Sequence, residues 1–319
     1  MLNWLGARAR GALVVIVVLS IALPAVGNVL RPLLPAAVFL LLIIAFCRID
    51  PVAFKALVRR PLLVAAAVCW TSVVIPVLVG SSCLFFDLSE KQPELFTGLT
   101  LQALASPIMA SPALAILMGL DATLILVAMV GSTLLLPFTA PVFTQLFIGA
   151  EFILAPTDLA LKLFTLIAGS AAIAYLLQRF FSLTAIRRHS REIDGANVII
   201  LFVFAAVIMC NVGGALLNTP ATVLCLALFA GMIALVLQIV TTLLFWPGGR
   251  DNALAMGIMV SQRNMGLLLA VTSSFLPELA WLYFAMAQFP IYFSPWLLRP
   301  VISHLKEKGS SPSPQVDKI

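Results

Sequence analysis

The stretch LFTGLTLQALASPIMASPALAILMG, residues 95–119, is long and apolar enough to cross a bilayer, yet it contains Ser-Pro twice. Pro107 and Pro112 have no amide hydrogen, and each pushes the preceding residue out of helical geometry. We therefore expect the helix to unwind between them and to free the carbonyls of Ala103 and Ile108. Unpaired backbone groups are costly in hydrocarbon, so this segment should be surrounded by protein or line a wet cavity. The alternative is a simple proline kink, which membrane helices tolerate.

The composition of the whole chain indicates an integral membrane protein. Of its 319 residues, 62% are hydrophobic and only 10% are charged, which is far from the averages of soluble domains. The cysteines lie in or beside apolar runs without a Cys-X-X-Cys pair, and both histidines lie in charged breaks, so we expect no metal site. The basic residues behind the formal charge of +6 are dispersed. We therefore expect contact with the lipid bilayer and no nucleic-acid partner.

Apolar runs separated by polar breaks predict ten helical spans. They start near residues 11, 33, 61, 95, 122, 159, 196, 220, 252 and 279. With the N-terminus inside, fifteen of the 19 Lys and Arg residues fall on the inner side, and three, Arg31, Lys91 and Lys162, fall on the outer side. This asymmetry predicts a multi-pass protein of the inner or plasma membrane with both termini in the cytoplasm. The remaining basic residue, Arg263, lies inside a predicted span.

Ten spans divide into two sets of five. Because five crossings end on the opposite side of the membrane, the second set starts on the other side and has the opposite orientation. We expect residues 1–150 and 158–305 to form two inverted five-helix repeats, followed by a disordered polar tail at 306–319. The first apolar run also has the features of a secretory signal, and we expect it to be retained as a span. In transporters built from inverted repeats, substrate sites lie near the membrane midplane, where corresponding spans are interrupted.

The ninth span, DNALAMGIMVSQRNMGLLLAVTSS at residues 251–274, has a polar centre at the depth that corresponds to the Ser-Pro segment. This polar centre, SQRN, is followed by Gly266. We expect an interruption here as well. Because the span contains no proline, a continuous helix with a polar packing face is the alternative.

These two segments resemble the bile acid:sodium symporter family. Sequence likeness is concentrated in ASPIMASPALAILMGLDATLILVAMVGSTLLLP, residues 105–137, and VSQRNMGLLLAVTSSFLPELAWLYFAMAQFP, residues 260–290. The resemblance implies an all-α membrane protein with ten transmembrane helices in two inverted five-helix repeats. It implies that the discontinuous fourth and ninth helices cross at mid-membrane. It also implies that a panel of spans 1, 2, 6 and 7 rocks against a core of spans 3 to 5 and 8 to 10.

Family members that couple transport to sodium have a run similar to Pro-Gly-Gly-Thr-Ala-Ser-Asn in the fourth span. This chain agrees with that run at Pro107 but has Pro112 and Ala113 where the Ser and Asn ligands fall. In the fifth span, Ser132 and Thr133 resemble hydroxyl ligands of the family. The fourth-span half of the family's sodium site is thus only partly present.

In the ninth span the family pattern is similar to Glu-Val-Gly-Met-Gln-Asn-Ser-Gly. This chain agrees at Val260, Asn264 and Gly266 but has Met259 in place of Glu and Arg263 in place of Gln. Sodium is a hard cation that requires several oxygen ligands. Two unit positive charges about 4 Å apart repel by roughly 4 kcal/mol at an effective dielectric constant of about 20. The resemblance implies sodium coupling, but these departures argue against it, and we expect no other cofactor.

An arginine at mid-membrane is costly, so Arg263 should face protein or water and have a partner. No acidic residue lies in the middle of any span, and the nearest in sequence are Asp251 and Glu278. Three roles remain open. Arg263 acts as a built-in cation that replaces sodium and donates to freed carbonyls, or it binds the carboxylate of an anionic substrate, or it snorkels or pairs with a lipid or another partner. The first two roles are compatible.

The sequence therefore predicts a secondary transporter that moves a small organic anion by alternating access. The alternatives are a non-transporting membrane sensor and an intramembrane enzyme; we expect no enzyme, because no nucleophile with a base lies within the spans. Each candidate site residue has a packing hydrogen bond as its alternative role. The candidate residues for the substrate or ion site are Gln102, Ser106, Pro107, Ser111, Thr133, Ser261, Gln262, Arg263 and Asn264.

Overall fold

The structure, a computed structural model, describes residues 9–49, 61–120, 122–181, 183–291, 293, 298–300 and 302. The predicted polar tail at 306–319 lies outside the described residues. Within the described ranges the chain is all-α, and its only β-type pairing is one isolated bridge. The α-helices are α1 Ala9–Ala22, α2 Pro24–Leu30, α3 Leu34–Cys47, α4 Pro61–Cys69, α5 Ile75–Phe85, α6 Leu88–Lys91, α7 Pro93–Leu104, α8 Ser111–Leu117, α9 Thr123–Phe147, α10 Pro156–Phe180, α11 Leu183–Arg188, α12 Ser190–Ile208, α13 Val212–Asn218, α14 Pro220–Phe245, α15 Arg250–Ser261, α16 Met265–Thr272 and α17 Glu278–Met286.

In the part of the chain that the structure describes, six continuous helical segments are long and apolar enough to cross a membrane. Much of their surface is exposed and apolar, as a lipid environment requires. The chain is therefore an integral, multi-pass membrane protein. The six segments are Pro24–Cys47, Pro61–Phe85, Thr123–Phe147, Pro156–Phe180, Ser190–Asn218 and Pro220–Gly248.

Shorter helices occupy the other four positions where spans were predicted. The first is α1, the fourth is divided into α7 and α8, the ninth into α15 and α16, and the tenth begins with α17. The second span was predicted to start near residue 33, and α3 begins at Leu34, but the continuous helical segment that contains α3 starts earlier. The long segment begins at Pro24, because proline favours the first turn of a helix and ends the preceding one. Arg31 consequently lies within this segment, in the 3₁₀ turn Arg31–Leu33.

The helices pack in two groups. In the first group, α12 packs against α1, α2 and α3, and α10 packs against α3. In the second group, α14 lies along α15 and contacts α17, while α7 contacts α5, α9 and α17. The packing of α14 on α15 depends on Gly257, where an added Cβ would lie 2.8 Å from the carbonyl oxygen of Gln238. The two groups are joined along α9 and α10.

Two hydrophobic clusters show where the groups meet. The larger cluster contains side chains from both groups, such as Leu42 and Phe204 of the first and Leu268 of the second. The buried members of the smaller cluster, such as Ile125 and Met256, come from α4, α5, α7, α8, α9, α14 and α15, the connection after α8, and Ile302. The larger cluster runs along α3 from Leu34 to Cys47 and joins the two groups, whereas the buried members of the smaller cluster belong to the second group.

Candidate functional site

The fourth predicted span is interrupted by a short extended segment. Helix α7 ends at Leu104, and Ala105 has φ −57° and ψ 138°, which is outside the helical region. Helix α8 begins at Ser111, and Pro112 lies in its first turn. The two prolines therefore act differently: Pro107 stops the incoming helix from continuing, whereas Pro112 occupies a position that favours the start of the next helix.

The ninth predicted span is interrupted without a proline. Helix α15 ends at Ser261, Gln262 is extended with φ −111° and ψ 95°, and α16 begins at Met265. Pro107 and Arg263 face each other in an antiparallel bridge. The amide of Ile108 donates to the Gln262 carbonyl at 2.9 Å, and the Asn264 amide donates to the Ser106 carbonyl at 2.6 Å.

The two interruptions thus satisfy each other's backbone groups. Polar backbone away from water must find hydrogen-bond partners, and here each extended segment supplies them to the other. The expectation that Ile108 would present a free carbonyl was wrong, because this carbonyl accepts a hydrogen bond from the Ser111 amide at 3.0 Å. Within this span, the carbonyl that accepts a hydrogen bond from the Arg263 guanidinium is that of Ala105.

Arg263 is buried at the point where the two interruptions meet, and its side chain is only 1% exposed. Its Nη1 donates to the Ala105 carbonyl at 2.9 Å and to the Thr71 carbonyl at 3.3 Å. Its Nε and Nη2 are also buried, and neither has a hydrogen-bond partner in the described part of the chain. A side chain with this burial does not snorkel toward lipid. The roles of built-in cation, anion ligand and pairing with another partner stay predictions.

The Thr71 carbonyl is available because helix α4 passes into a π-helical turn, Trp70–Val74. In this turn the Ile75 amide donates to the Trp70 carbonyl. The next residue, Pro76, has no amide hydrogen to offer Thr71. π-Helical turns are often found at functional sites, and this one presents a backbone oxygen to Arg263.

A cavity of about 430 Å³ lies between the two helix groups, with Arg263 in its wall. Its size is typical of sites for small organic molecules. The wall is mainly apolar, and its polar side chains are Arg48, Asn197, Arg263, Asn264 and Gln288. The first group contributes residues of α3 and α12, and the second contributes residues of both interruptions, α8, α9, α16 and the chain after α17.

One end of the cavity carries an ion pair. Arg48 donates to Asp194 at 2.6 Å, and the two side chains are 45% and 38% exposed. Gln178 holds the same end of α3, because its Nε2 lies within hydrogen-bond distance of the carbonyls of Phe46, Cys47 and Ile49. Arg48 is thus largely neutralised, which leaves Arg263 as the charge in the cavity wall without an ion-pair partner in the described ranges.

The candidate residues occupy three environments. Arg263 and Asn264 line the cavity. Thr133 donates to the Met129 carbonyl within α9, and Gln102 accepts a hydrogen bond from the Tyr283 hydroxyl. The other candidates are buried in or beside the two interruptions and are not among the residues that line the cavity: Ser106, Pro107, Ser111, Ser261 and Gln262.

Sequence reasoning missed the residues that the first helix group and the tenth span contribute to the cavity. Arg48 was counted only among the basic residues on the inner side, and Asn197, Phe204 and Gln288 were not singled out. Two amides in otherwise apolar segments, Asn197 and Gln288, were the available signal. Asn197 and Gln288 line the same cavity as Arg263 because distant helices pack together, and no local sequence pattern predicts that packing.

No protein-family model matches the chain, and no curated protein matches it at a significant level. The class that the structure defines is an all-α, multi-pass integral membrane protein in which two interrupted helices meet at a buried arginine.

Proposed function

We propose that this protein is a secondary transporter that carries a small organic anion across the inner or plasma membrane by alternating access. The observation that carries the proposal is the backbone bridge between Pro107 and Arg263, which joins two interrupted helices in the wall of a cavity of about 430 Å³. Interrupted helices that meet at a central site are typical of secondary transporters.

The charge of the site favours an anion. Arg263 has no acidic partner among the described ion pairs, which join Arg48 to Asp194 and Lys91 to Asp87. Its Nε and Nη2 form one edge of the planar guanidinium, and this edge suits the two oxygens of a carboxylate. Both atoms are buried without a protein acceptor in the described ranges, and leaving charged donors unpaired is costly. A singly charged anion would satisfy both the charge and the donors.

The other edge of the guanidinium supports a second role for the same residue. Nη1 donates to the Ala105 and Thr71 carbonyls, and carbonyl oxygens are groups that bind a hard cation in other sites. We propose that the fixed positive charge of Arg263 takes the place of a sodium ion. Transport is then independent of sodium.

The packing of the helices supports the likeness to the bile acid:sodium symporter family. The first group contains the helices at the positions of spans 1, 2, 6 and 7, and the second contains those of spans 3 to 5 and 8 to 10. This division is the one that the resemblance implies for the panel and the core. In the proposed topology there are ten spans in two inverted repeats, with both termini in the cytoplasm.

Uptake of radiolabelled monocarboxylates and dicarboxylates into liposomes that contain the full-length protein tests the proposal. We expect saturable uptake of a monocarboxylate with no change when a sodium gradient is imposed. Liposomes with the Arg263→Gln variant should take up much less. Saturable binding in detergent without any uptake into liposomes would instead indicate a sensor and would refute the transport proposal.

A further inference from the structure

Two basic side chains lie over aromatic rings where the helix groups touch. The Cζ of Arg31, in the first group, lies 4.5 Å from the ring centroid of Trp281 at the start of α17. The Nζ of Lys162, on α10, lies 5.8 Å from the ring centroid of Phe275, in the connection before α17. Both contacts cross from the first group to the second, and both have the geometry of cation–π interactions.

Hydrogen bonds strengthen the Arg31 contact. Arg31 Nη2 donates to the Ser273 carbonyl at 3.2 Å, and the indole Nε1 of Trp281 donates to the Ile208 carbonyl at 3.2 Å. Trp281 is thereby held between a guanidinium and a carbonyl that both belong to the first group. Its side chain is only 2% exposed.

These contacts lie at the end of the molecule opposite to the accessible end of the cavity. Along the segment Pro24–Cys47, the cavity is lined from Val38 to Arg48, and Arg31 lies beyond this range. At about 1.5 Å per residue, roughly 25 Å of helix separate Arg31 from Arg48. Along α12 the order is the same, because Asn197, Leu201 and Phe204 line the cavity and Ile208 contacts Trp281.

The hydrophobic clusters agree with this arrangement. The cluster shared by both groups contains Leu34, Ile208 and Trp281 at the Arg31 end, and along α3 it continues to Phe46 and Cys47. The smaller cluster lies at the other end and takes its buried members from the second group. Among the described residues of the first group only Ile49 packs against it, beside the partly exposed Arg48 and Asp194. The molecule is closed at the Arg31 end and accessible at the Arg48 end.

We infer that Arg31 and Lys162, with Trp281 and Phe275, form an aromatic latch that holds the helix groups together at one end and so keeps the cavity accessible from the other. The inference rests on the proposed function, because opening the latch is the step that would expose the cavity to the opposite side of the membrane. Arg31 and Lys162 act as positioning residues that bias which side is open, and they do not contact the cavity.

The test measures access at the end remote from the latch. Ala45 is small, partly exposed and lines the cavity, so an Ala45→Cys reporter is introduced into full-length protein whose five native cysteines are replaced. The protein is placed in lipid nanodiscs, which expose both faces, and the rate of labelling by a charged maleimide is measured. The double variant Arg31→Ala/Lys162→Ala is compared with Lys91→Ala, whose lysine pairs only locally with Asp87 at 3.3 Å.

We expect the double variant to label about threefold more slowly than the reporter protein, because losing two exposed cation–π contacts shifts the population toward the form in which the cavity faces the other side. Lys91→Ala should label at the rate of the reporter protein. Unfolding would accelerate labelling, so it cannot imitate the expected result. An unchanged or faster rate in the double variant would overturn the latch. The assay needs no substrate, so absence of anion uptake would refute the proposed function without changing this result.

Discussion

Replacing Arg263 by glutamine tests whether its guanidinium binds the substrate anion. The substitution removes a charged pair of donors, Nε and Nη2, that has no protein acceptor in the described ranges. A hydrogen bond to a charged group contributes roughly 1.5–3 kcal/mol, so two of them, partly offset by desolvation, give an expected loss of about 3 kcal/mol. Because about 1.4 kcal/mol corresponds to a tenfold change, the Kd of the anion should rise roughly 100-fold.

The assay is calorimetric titration of the purified protein in nanodiscs with a monocarboxylate selected by the uptake screen, at several sodium concentrations. Arg263→Lys retains the charge but loses the planar pair of donors, so its affinity should lie between those of the native protein and Arg263→Gln. The double variant Arg48→Gln/Asp194→Asn provides a control, because removing both members of this partly exposed pair leaves the net charge at that end of the cavity unchanged. We expect this control to change the Kd by less than about threefold.

Two results would refute the reasoning about Arg263. If Arg263→Gln remains folded and binds the anion within about threefold of the native protein, the guanidinium is not an anion ligand. If the native protein requires sodium for binding, the fixed charge does not replace the ion. Sodium dependence that appears only in Arg263→Gln would support replacement, because the Ala105 and Thr71 carbonyls that Nη1 now contacts would become available to a cation.

Three further variants test the packing and the charge around the cavity. Gly257→Ala should lower the thermal unfolding midpoint, at a cost of roughly 1–3 kcal/mol, because the new Cβ would lie 2.8 Å from the Gln238 carbonyl oxygen. Gly231→Ala should leave the midpoint unchanged, because nothing lies within 4 Å of the added Cβ. Equal midpoints for the two variants would contradict this packing. Tyr283→Phe should destabilise the protein by about 1–3 kcal/mol in thermal unfolding, because it removes the donor to Gln102; an unchanged midpoint would show that another group satisfies this amide. Asp194→Asn should raise the initial rate of anion uptake several-fold at low ionic strength, because it leaves Arg48 unpaired. This gain should vanish near 1 M salt, where the Debye length is about 3 Å. A gain that persists at high salt would exclude electrostatic attraction as its cause.

The two interruptions differ in how far their local sequences indicate them. A proline alters its own helix through covalent structure alone, so Pro107 and Pro112 together indicated the first interruption, with a simple kink as the alternative. The second has no such residue. Its extended backbone is held by the Asn264 amide, which donates to the Ser106 carbonyl, and by the Ile108 amide, which donates to the Gln262 carbonyl, and these partners are more than 150 residues away. The polar run around Arg263 indicated the place, whereas the partner that stabilises it could be identified only in three dimensions.

Two further differences between the sequence-based predictions and the structure also come from contacts between distant parts of the chain. The predicted topology placed Arg31 in an outer loop. It lies instead within a long helical segment, where its guanidinium contacts the Trp281 ring and the Ser273 carbonyl. The cavity wall includes Asn197 and Gln288 because α12 and the chain after α17 face the interruptions. Both features arise from contacts between helices remote in sequence, which composition and periodicity do not encode.

The π-helical turn at Trp70–Val74 has a consequence for how this chain can evolve. A π turn holds one residue more than an α-helical turn, so deleting a single residue there, such as the partly exposed Val73, would restore regular winding. Because the π turn holds its extra residue locally, the helix Ile75–Phe85 would keep nearly the same orientation. Pro76 would then be the fourth residue after Thr71, and since proline has no amide hydrogen the Thr71 oxygen would still have no donor within the helix. This acceptor of the buried guanidinium would therefore survive the loss of one codon in the turn, whereas replacing Pro76 in the shortened chain would remove it.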